Sequence, residues 1–400
     1  MIHCFNPGHE TAVLNQSRFY QPPVNQVRMQ QELAFLPAWY ADADDFIWLE
    51  NPLPEDFQKR LKRLNPIPQS ISKNEIPAQM AHLQQQEIAL WGLSPSSIHF
   101  FEQLKQKYNT DWKIPVWNDK LRELNSRQTA QTILRELIAN LPEIEENILP
   151  QNFHTLEEVE NYIVESSEKQ LLKSPYSSSG RGLLWLPPQK LAQSERQIIH
   201  GMLKKQAAVS IEKALDKQLD FSMHFLLDSS ENIRFAGYSV FYTNSKGAYE
   251  KSRVAPQSLL LAEITKYVSM ELLEKVKQQL SKLIKKVYSV HYQGNIGVDM
   301  LIYRSKNQYK IHPCVEINLR KSMGYLAIRL AETHLSQETQ ADFFVDYHSL
   351  SKAVFQEDFR LQQLHLLELI NGKIQSGYYS LCPVSEQNHY HAYLISKKIN

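Results

Sequence analysis

Residues 294–324, GNIGVDMLIYRSKNQYKIHPCVEINLRKSMG, constrain the fold more than any other stretch of the chain. Two apolar runs flank a polar turn at Arg304–Gln308, which predicts two strands joined as a hairpin. In the second run, Tyr309, Ile311, Pro313, Val315, Ile317 and Leu319 take one parity. Lys310, His312, Cys314, Glu316, Asn318 and Arg320 take the other. Side chains of a strand alternate faces, so Glu316, Asn318 and Arg320 are expected to point the same way. Asp299 sits in the first run among Ile296, Val298, Met300, Leu301 and Ile302, and pairing of the runs brings it near Glu316. Two carboxylates and an amide oxygen are hard ligands of the kind that hold Mg2+ beside phosphates. A half-buried hairpin with a wet polar face accounts for the same pattern, so the choice falls to the remaining chain.

A length of 400 residues suggests two or three domains. The 44 basic and 43 acidic residues leave a net charge of +1, which gives no electrostatic reason to expect nucleic acid or an anionic membrane as partner. Cys4, Cys314 and Cys382 are too widely separated for a disulfide framework or a zinc spacing, so a reducing, cytoplasmic setting is expected. The start, MIHCFNPGHETAV, shows no signal-peptide pattern, and no run approaches the ~20 apolar residues of a membrane span. Only 12 glycines occur, and Gly180, Gly182, Gly294, Gly297 and Gly324 fall in two stretches. Glycine allows close approaches that other residues forbid, so those stretches are expected to have special geometry.

In chain order, Ile2–Phe5 reads as a buried strand followed by a turn at Asn6-Pro7-Gly8 and the polar set His9, Glu10, Thr11. Gln26–Tyr40 has helical spacing, Phe46–Glu50 and Ile88–Leu93 read as strands, and Ser94–Tyr108 as a helix capped by Ser96 or Ser97. This alternation argues for an α/β domain with a partly parallel sheet, ending near Pro115. WNDK at 117–120 precedes a helix whose apolar face is Ala130, Ile133, Leu134, Leu137, Ile138 and Leu141, and which Pro142 should stop. Pro142–Asn152 reads as a loop, and Thr155 with Glu158 as a capping box for a helix reaching about Ser166.

Gln170–Ser174 and Gly182–Leu186 read as strands around the loop Pro175-Tyr176-Ser177-Ser178-Ser179-Gly180-Arg181. Its backbone amides, three serine hydroxyls and the flanking Lys173 and Arg181 are what a polyphosphate needs. A flexible Ser/Gly turn has the same composition. No G-K-[ST] opens a helix here, which excludes a Walker A loop. Strands are expected near Val209–Glu212, Phe221–Leu227 and Ile233–Tyr242, with a linker at Lys213–Leu219. Thr265–Val290 reads as one long helix, and Leu326–Ala331 as another. A helix at Asp358–Ile370, a turn at Asn371-Gly372 and strands near Tyr378–Cys382 and Tyr390–Ile395 complete the chain.

The order NDK, helix, LLKSPYSSSGRG, IEKALDKQLDFSMHFLL, long helix, GVDM, CVEINLR resembles the ATP-grasp superfamily over roughly residues 117–330. The resemblance implies an α/β domain at 1–116 before the grasp. A lid subdomain at 117–206, a metal-bearing subdomain at 207–330 and a C-terminal extension at 331–400 would follow. It implies ATP bound between two α+β subdomains under a mobile lid. Lys120 and Lys173 look like the lysines on the phosphates. Ser177, Ser178, Ser179, Gly180, Arg181 and Gly182 look like the lid loop. Glu212, Lys213 and Leu215 look like the adenine hinge, and Asp220, one residue further along than usual, like the ribose-binding acid. Asp299, Glu316 and Asn318 look like Mg2+ ligands, with Mn2+ as the alternative ion. Arg320 looks like the cation beside the transferred phosphoryl group, so Arg320 and Lys173 are the expected catalytic pair.

The implied activity is ligation: a carboxylate activated as an acyl phosphate and joined to an amine, a thiol or another nucleophile, with ADP and phosphate released. A kinase-like member and a nucleotide-binding regulatory protein are the alternatives, and an oligomer is compatible with each. Two features depart from the family pattern. QGNIGVD lacks the arginine that several members carry there, for which Lys251 or Arg253 is the candidate replacement, against the reading of a solvated basic pair. The NPGHETA segment matches no family motif, and His9 and Glu10 are substrate candidates through their place after the first strand.

Overall fold

The computed structural model describes residues 1–64, 66–177, 182–245 and 247–399. The chain divides into two units, one formed by residues 1–118, 250–260 and 320–400, the other by 119–249 and 261–319. Among the described residues, no helix is long and apolar enough to cross a membrane.

In the first unit, strands Gln69–Ser72, Phe46–Leu49, Ile2–Cys4 and Ile88–Leu90 lie side by side in that order, all parallel. Ile2–Cys4 is central and buried throughout, as a strand covered on both faces should be. Ile2, Cys4, Trp48, Ile71 and Leu90 pack with Ile98, Phe101 and Leu104 of the helix Pro95–Tyr108. The cap of that helix is Ser94, not Ser96 or Ser97: its Oγ accepts from the Ser97 amide. Pro95 takes the first helical position, where its missing N–H costs nothing. The expected helix at Gln26–Tyr40 is shorter, Val24–Glu32, followed by a 3-10 turn at Leu36–Trp39.

The same unit holds the antiparallel strands Thr339–Tyr347, Tyr390–Lys398, Lys373–Ser380 and Glu368–Ile370. The helix expected at Asp358–Ile370 instead spans Ala353–Leu364, and Glu368–Ile370 is a strand. Asn371 and Gly372 turn the chain with φ of 51° and 73°, the left-handed pair that suits a tight hairpin.

The second unit contains two sheets. The first orders Gln151–Phe153, Val209–Lys213, Gln170–Lys173 and Leu183–Leu186. Val159 and Ile163 of the helix Leu156–Glu165, with Ile199 of Gln193–Gln206, pack on Leu172, Val209 and Ile211. The Thr155 capping box forms as expected, with Thr155 Oγ1 accepting from the Glu158 amide and the Glu158 carboxylate accepting from the Thr155 amide. The second sheet joins Gln308–Asn318, Gly294–Ser305, Asp216–Leu227 and Ile233–Thr243, all antiparallel. The long helix begins later than the periodicity suggests, at Met270–Tyr288, because Ser269 caps it; residues Gln257–Ile264 form a separate helix.

The hairpin forms, with two differences. Its second strand stops at Asn318, so the alternation that aligns Glu316 and Asn318 does not carry on to Arg320. The register passes from Asp299 opposite Glu316 to Leu301 opposite His312, so Pro313, Cys314 and Val315 together face Met300. Pro313 has no N–H to give the ladder, and a bulge accommodates it.

Candidate active site

The centre of the second sheet brings Asp299, Glu316 and Asn318 together. Asp299 is directly opposite Glu316, and Asn318 is opposite Gly297. Asp299 Oδ1 accepts from Ser222 Oγ at 2.6 Å and its Oδ2 from Asn318 Nδ2 at 2.9 Å. Among the described residues no three His, Cys, Asp or Glu side chains form a metal-holding group; this set is two carboxylates and an amide. The donors still fit Mg2+, a hard ion that takes one or two carboxylates and completes its shell with water and phosphate oxygens. Each carboxylate keeps lone pairs beyond those its neighbours use, and the Asn318 amide leaves its Oδ1 for a cation.

Arg127, which the sequence patterns do not single out, ties this floor to the Ser/Gly loop. It opens the helix Arg127–Asn140 and is buried. Its Nη2 donates to Glu316 Oε2 at 2.6 Å, and its Nη1 donates to the Ser174 carbonyl at 2.7 Å and to Ser177 Oγ at 2.6 Å. The same helix supplies the Ala130 carbonyl that accepts from the Cys314 thiol. Burial, and then the nearby Asp299 charge, push that thiol above its usual pKa, so Cys314 is a packing residue and not a nucleophile.

Lys173 and Glu212 pair diagonally across neighbouring strands, Nζ to Oε1 at 2.5 Å, both nearly buried. Burial, reinforced by the Lys173 charge, lowers the His312 pKa to about 3 and keeps its ring neutral. The loop beyond Lys173 returns through a close approach at Gly182, where a Cβ would come within 2.2 Å of Ser174 Oγ and 2.4 Å of Ser177 Cβ. Ser178, Ser179, Gly180 and Arg181 lie outside the described residues.

The expected linker at Lys213–Leu219 shrinks to Ala214 and Leu215, because the next strand starts at Asp216. Lys213 reaches Glu168 at 2.6 Å on the surface. Before Asp220 the register slips between Ile302–Leu219 and Tyr303–Lys217, which leaves Gln218 unopposed. The Asp220 carboxylate accepts from Lys217 Nζ at 2.5 Å and from Thr243 Oγ1 at 3.0 Å. Lys120 opens the helix Lys120–Leu124, half exposed, with its ammonium 2.5 Å from Glu123.

Arg320 belongs to the first unit. Its Nε donates to Glu10 Oε1 at 2.6 Å, and it forms a β-bridge to Gly92. Burial alone would raise the Glu10 carboxyl, but Arg320 and His9 take it well below the usual carboxylate range. Asn6 clamps Gly92 through both backbone groups, and a Cβ on Gly92 would run into the His9 ring at 2.4 Å. Lys251 pairs with Asp342 at 2.9 Å and Arg253 donates to Gln340 at 2.6 Å, both across neighbouring strands.

No protein-family model matches the sequence, and no curated protein matches it. Solved structures do. A biotin carboxylase–βγ-ATP complex from Campylobacter jejuni aligns with a TM-score of 0.51 at 11% identity, covering 100% of this chain and 88% of that one. N5-carboxyaminoimidazole synthetase from Staphylococcus aureus with ADP aligns at 0.48 and 14% identity, covering 98% and 92%. L-amino acid ligase from Bacillus licheniformis aligns at 0.49 and 10% identity, covering 99% and 92%. The chain therefore has the ATP-grasp fold.

Proposed function

We propose that the protein is an ATP- and Mg2+-dependent ligase that activates a carboxylate as an acyl phosphate for attack by an amine, a thiol or another nucleophile. The observation that carries this reading is Asp299 opposite Glu316 with Asn318 bonded to Asp299, a row of hard oxygen donors on one strand pair. In this reading a substrate carboxylate oxygen attacks the γ-phosphorus, the bond to the β-phosphate oxygen breaks, and ADP leaves. The nucleophile then attacks the acyl carbon and expels phosphate.

Asp299, Glu316 and Asn318 would hold Mg2+, which neutralises charge on the phosphate oxygens. Lys173 and Lys120 would contact the phosphates, and Arg320 the transferred group. Ser177–Gly182 would close over the nucleotide and exclude water, which an acyl phosphate requires. Glu212, Lys213 and Leu215 would read the adenine edge and Asp220 the ribose. The lid would be 117–206 and the metal-bearing subdomain 207–330. Three unpaired, buried cysteines fit a reducing compartment such as the cytoplasm.

The test is ADP and phosphate release across pooled carboxylates, amines and thiols, beside a thermal shift with Mg2+ and ATP. Release of free phosphate that needs both a carboxylate and a nucleophile supports ligation. Phosphate retained on the product favours the kinase reading, and no thermal shift with ATP or ADP overturns the assignment of the nucleotide site.

A further inference from the structure

A pocket in the first unit stands outside the nucleotide chemistry. It encloses about 160 Å3, roughly the room that a benzene-sized molecule occupies. Arg60, Arg63, His365, Leu367, Leu369 and Tyr379 are among the residues that line it. Arg60 lies in the helix Glu55–Leu61 and Arg63 one turn further on. Neither guanidinium forms an ion pair or a hydrogen bond among the described residues. Arg60 rests over the Phe57 ring, 5.2 Å from its centroid, which leaves its edge N–H groups to donate.

The carboxylate of Asp358, which feels the Arg60 charge, accepts its hydrogen bonds from other residues. Asp358 accepts from the Tyr378 hydroxyl at one oxygen and from Gln362 Nε2, at 2.6 Å, at the other. No guanidinium N–H is hydrogen-bonded to it, so the donors of both arginines face the pocket unpaired among the described residues. A second, independent feature points the same way. Tyr379 is 3% exposed, and its hydroxyl has no hydrogen-bond partner among the described residues. A buried hydroxyl without a protein partner is unfavourable unless a water or a ligand supplies one. Its nearest charges are Arg60 and Arg63.

We propose that this pocket binds a small phosphomonoester. The two guanidiniums and the Tyr379 hydroxyl hold the phosphate, and the short organic part rests against Leu367 and Leu369. Adjacent guanidiniums match the several oxygens of a phosphate dianion better than the two of a carboxylate. The site is separate from the motifs assigned to ATP, so it does not depend on the ligase reading.

Calorimetric titration of the full chain with glycerol phosphate, inorganic phosphate and glycerate tests this. Glycerol phosphate binds at one site, more tightly than inorganic phosphate, and glycerate does not displace it. Arg63→Gln, at an exposed position, and Tyr379→Phe each weaken binding by about tenfold or more, the loss expected for a charge-assisted hydrogen bond. Tyr379→Phe leaves the melting temperature unchanged or raises it, since that hydroxyl has no partner to lose. The proposal is overturned if glycerol phosphate does not bind, if glycerate competes equally, or if both variants bind as the parent does.

Discussion

Arg320 Nε donates to Glu10 Oε1 at 2.6 Å across 310 residues of sequence, and both side chains are largely removed from solvent. The contact joins the first turn of the helix His9–Asn15, which follows the first strand, to the segment just past the end of the hairpin. Removing one partner of a buried pair leaves the other uncompensated. Glu10→Ala is therefore expected to destabilise the protein by about 3 kcal/mol, and Glu10→Ala with Arg320→Met by less than either change alone implies. A double-mutant cycle in urea measures this coupling. The carboxyl is held below its usual pKa, so its contribution is full above the unfolded value of about 4.3 and is lost as pH falls below it.

Arg127→Met removes donors to Glu316, Ser174 and Ser177 at once. Glu316 is partly exposed, so water takes over some of the loss, and the stability cost is about 2 kcal/mol. The larger effect falls on turnover, because Arg127 orients a carboxylate assigned to the metal: ADP release drops by roughly 10- to 100-fold. Arg127→Lys does not restore it, since one ammonium cannot serve the three acceptors that the fork reaches. ADP release followed against Mg2+ concentration separates this positioning role from a purely structural one, which would leave the metal dependence unchanged.

The local features of this fold were legible in the sequence. The turn at Arg304–Gln308, the Thr155–Glu158 box and the face Ala130–Leu137 depend on residues a few positions apart. What depends on distant partners was not. Arg127 and Glu316 are 189 residues apart, and an arginine at the start of a helix reads as surface until the fold buries it. The strand Gln69–Ser72 carries too little apolar pattern to be seen, and it forms because Phe46–Leu49 offers a parallel edge. Pro313 sat in an otherwise regular alternation that gave no sign of a three-residue bulge. Arg320 kept the parity of Glu316 and Asn318 on paper, while in the structure the strand ends before reaching it.

Asp299→Asn keeps the shape and the Ser222 and Asn318 neighbours but removes a charge. Turnover is expected to fall by a factor on the order of 100 to 1,000, with ADP binding in the absence of metal unchanged. Asn318→Ala and Glu316→Ala should do the same. Thermal shifts with ADP, with and without Mg2+, read the two effects separately. Full activity in all three variants removes these residues from the metal site.

His224 and His312 make the second sheet sensitive to mild acid. Burial lowers both pKa values to about 3. His224 bonds to Ser239 Oγ at 3.0 Å, whereas neither ring nitrogen of His312 has a partner among the described residues. In the unfolded chain both titrate near 6.5. Below that pH the unfolded state takes up protons that the folded state refuses, so stability falls as pH falls. The contribution is full above about 6.5 and declines toward pH 3 by roughly 1.4 kcal/mol per pH unit for each ring. Urea midpoints at pH 7, 6 and 5 should therefore drop steadily. Replacing His312 with Leu breaks no hydrogen bond among the described residues and should flatten the slope by about half; an unchanged slope would mean that the folded His312 ring takes up its proton as readily as the unfolded one.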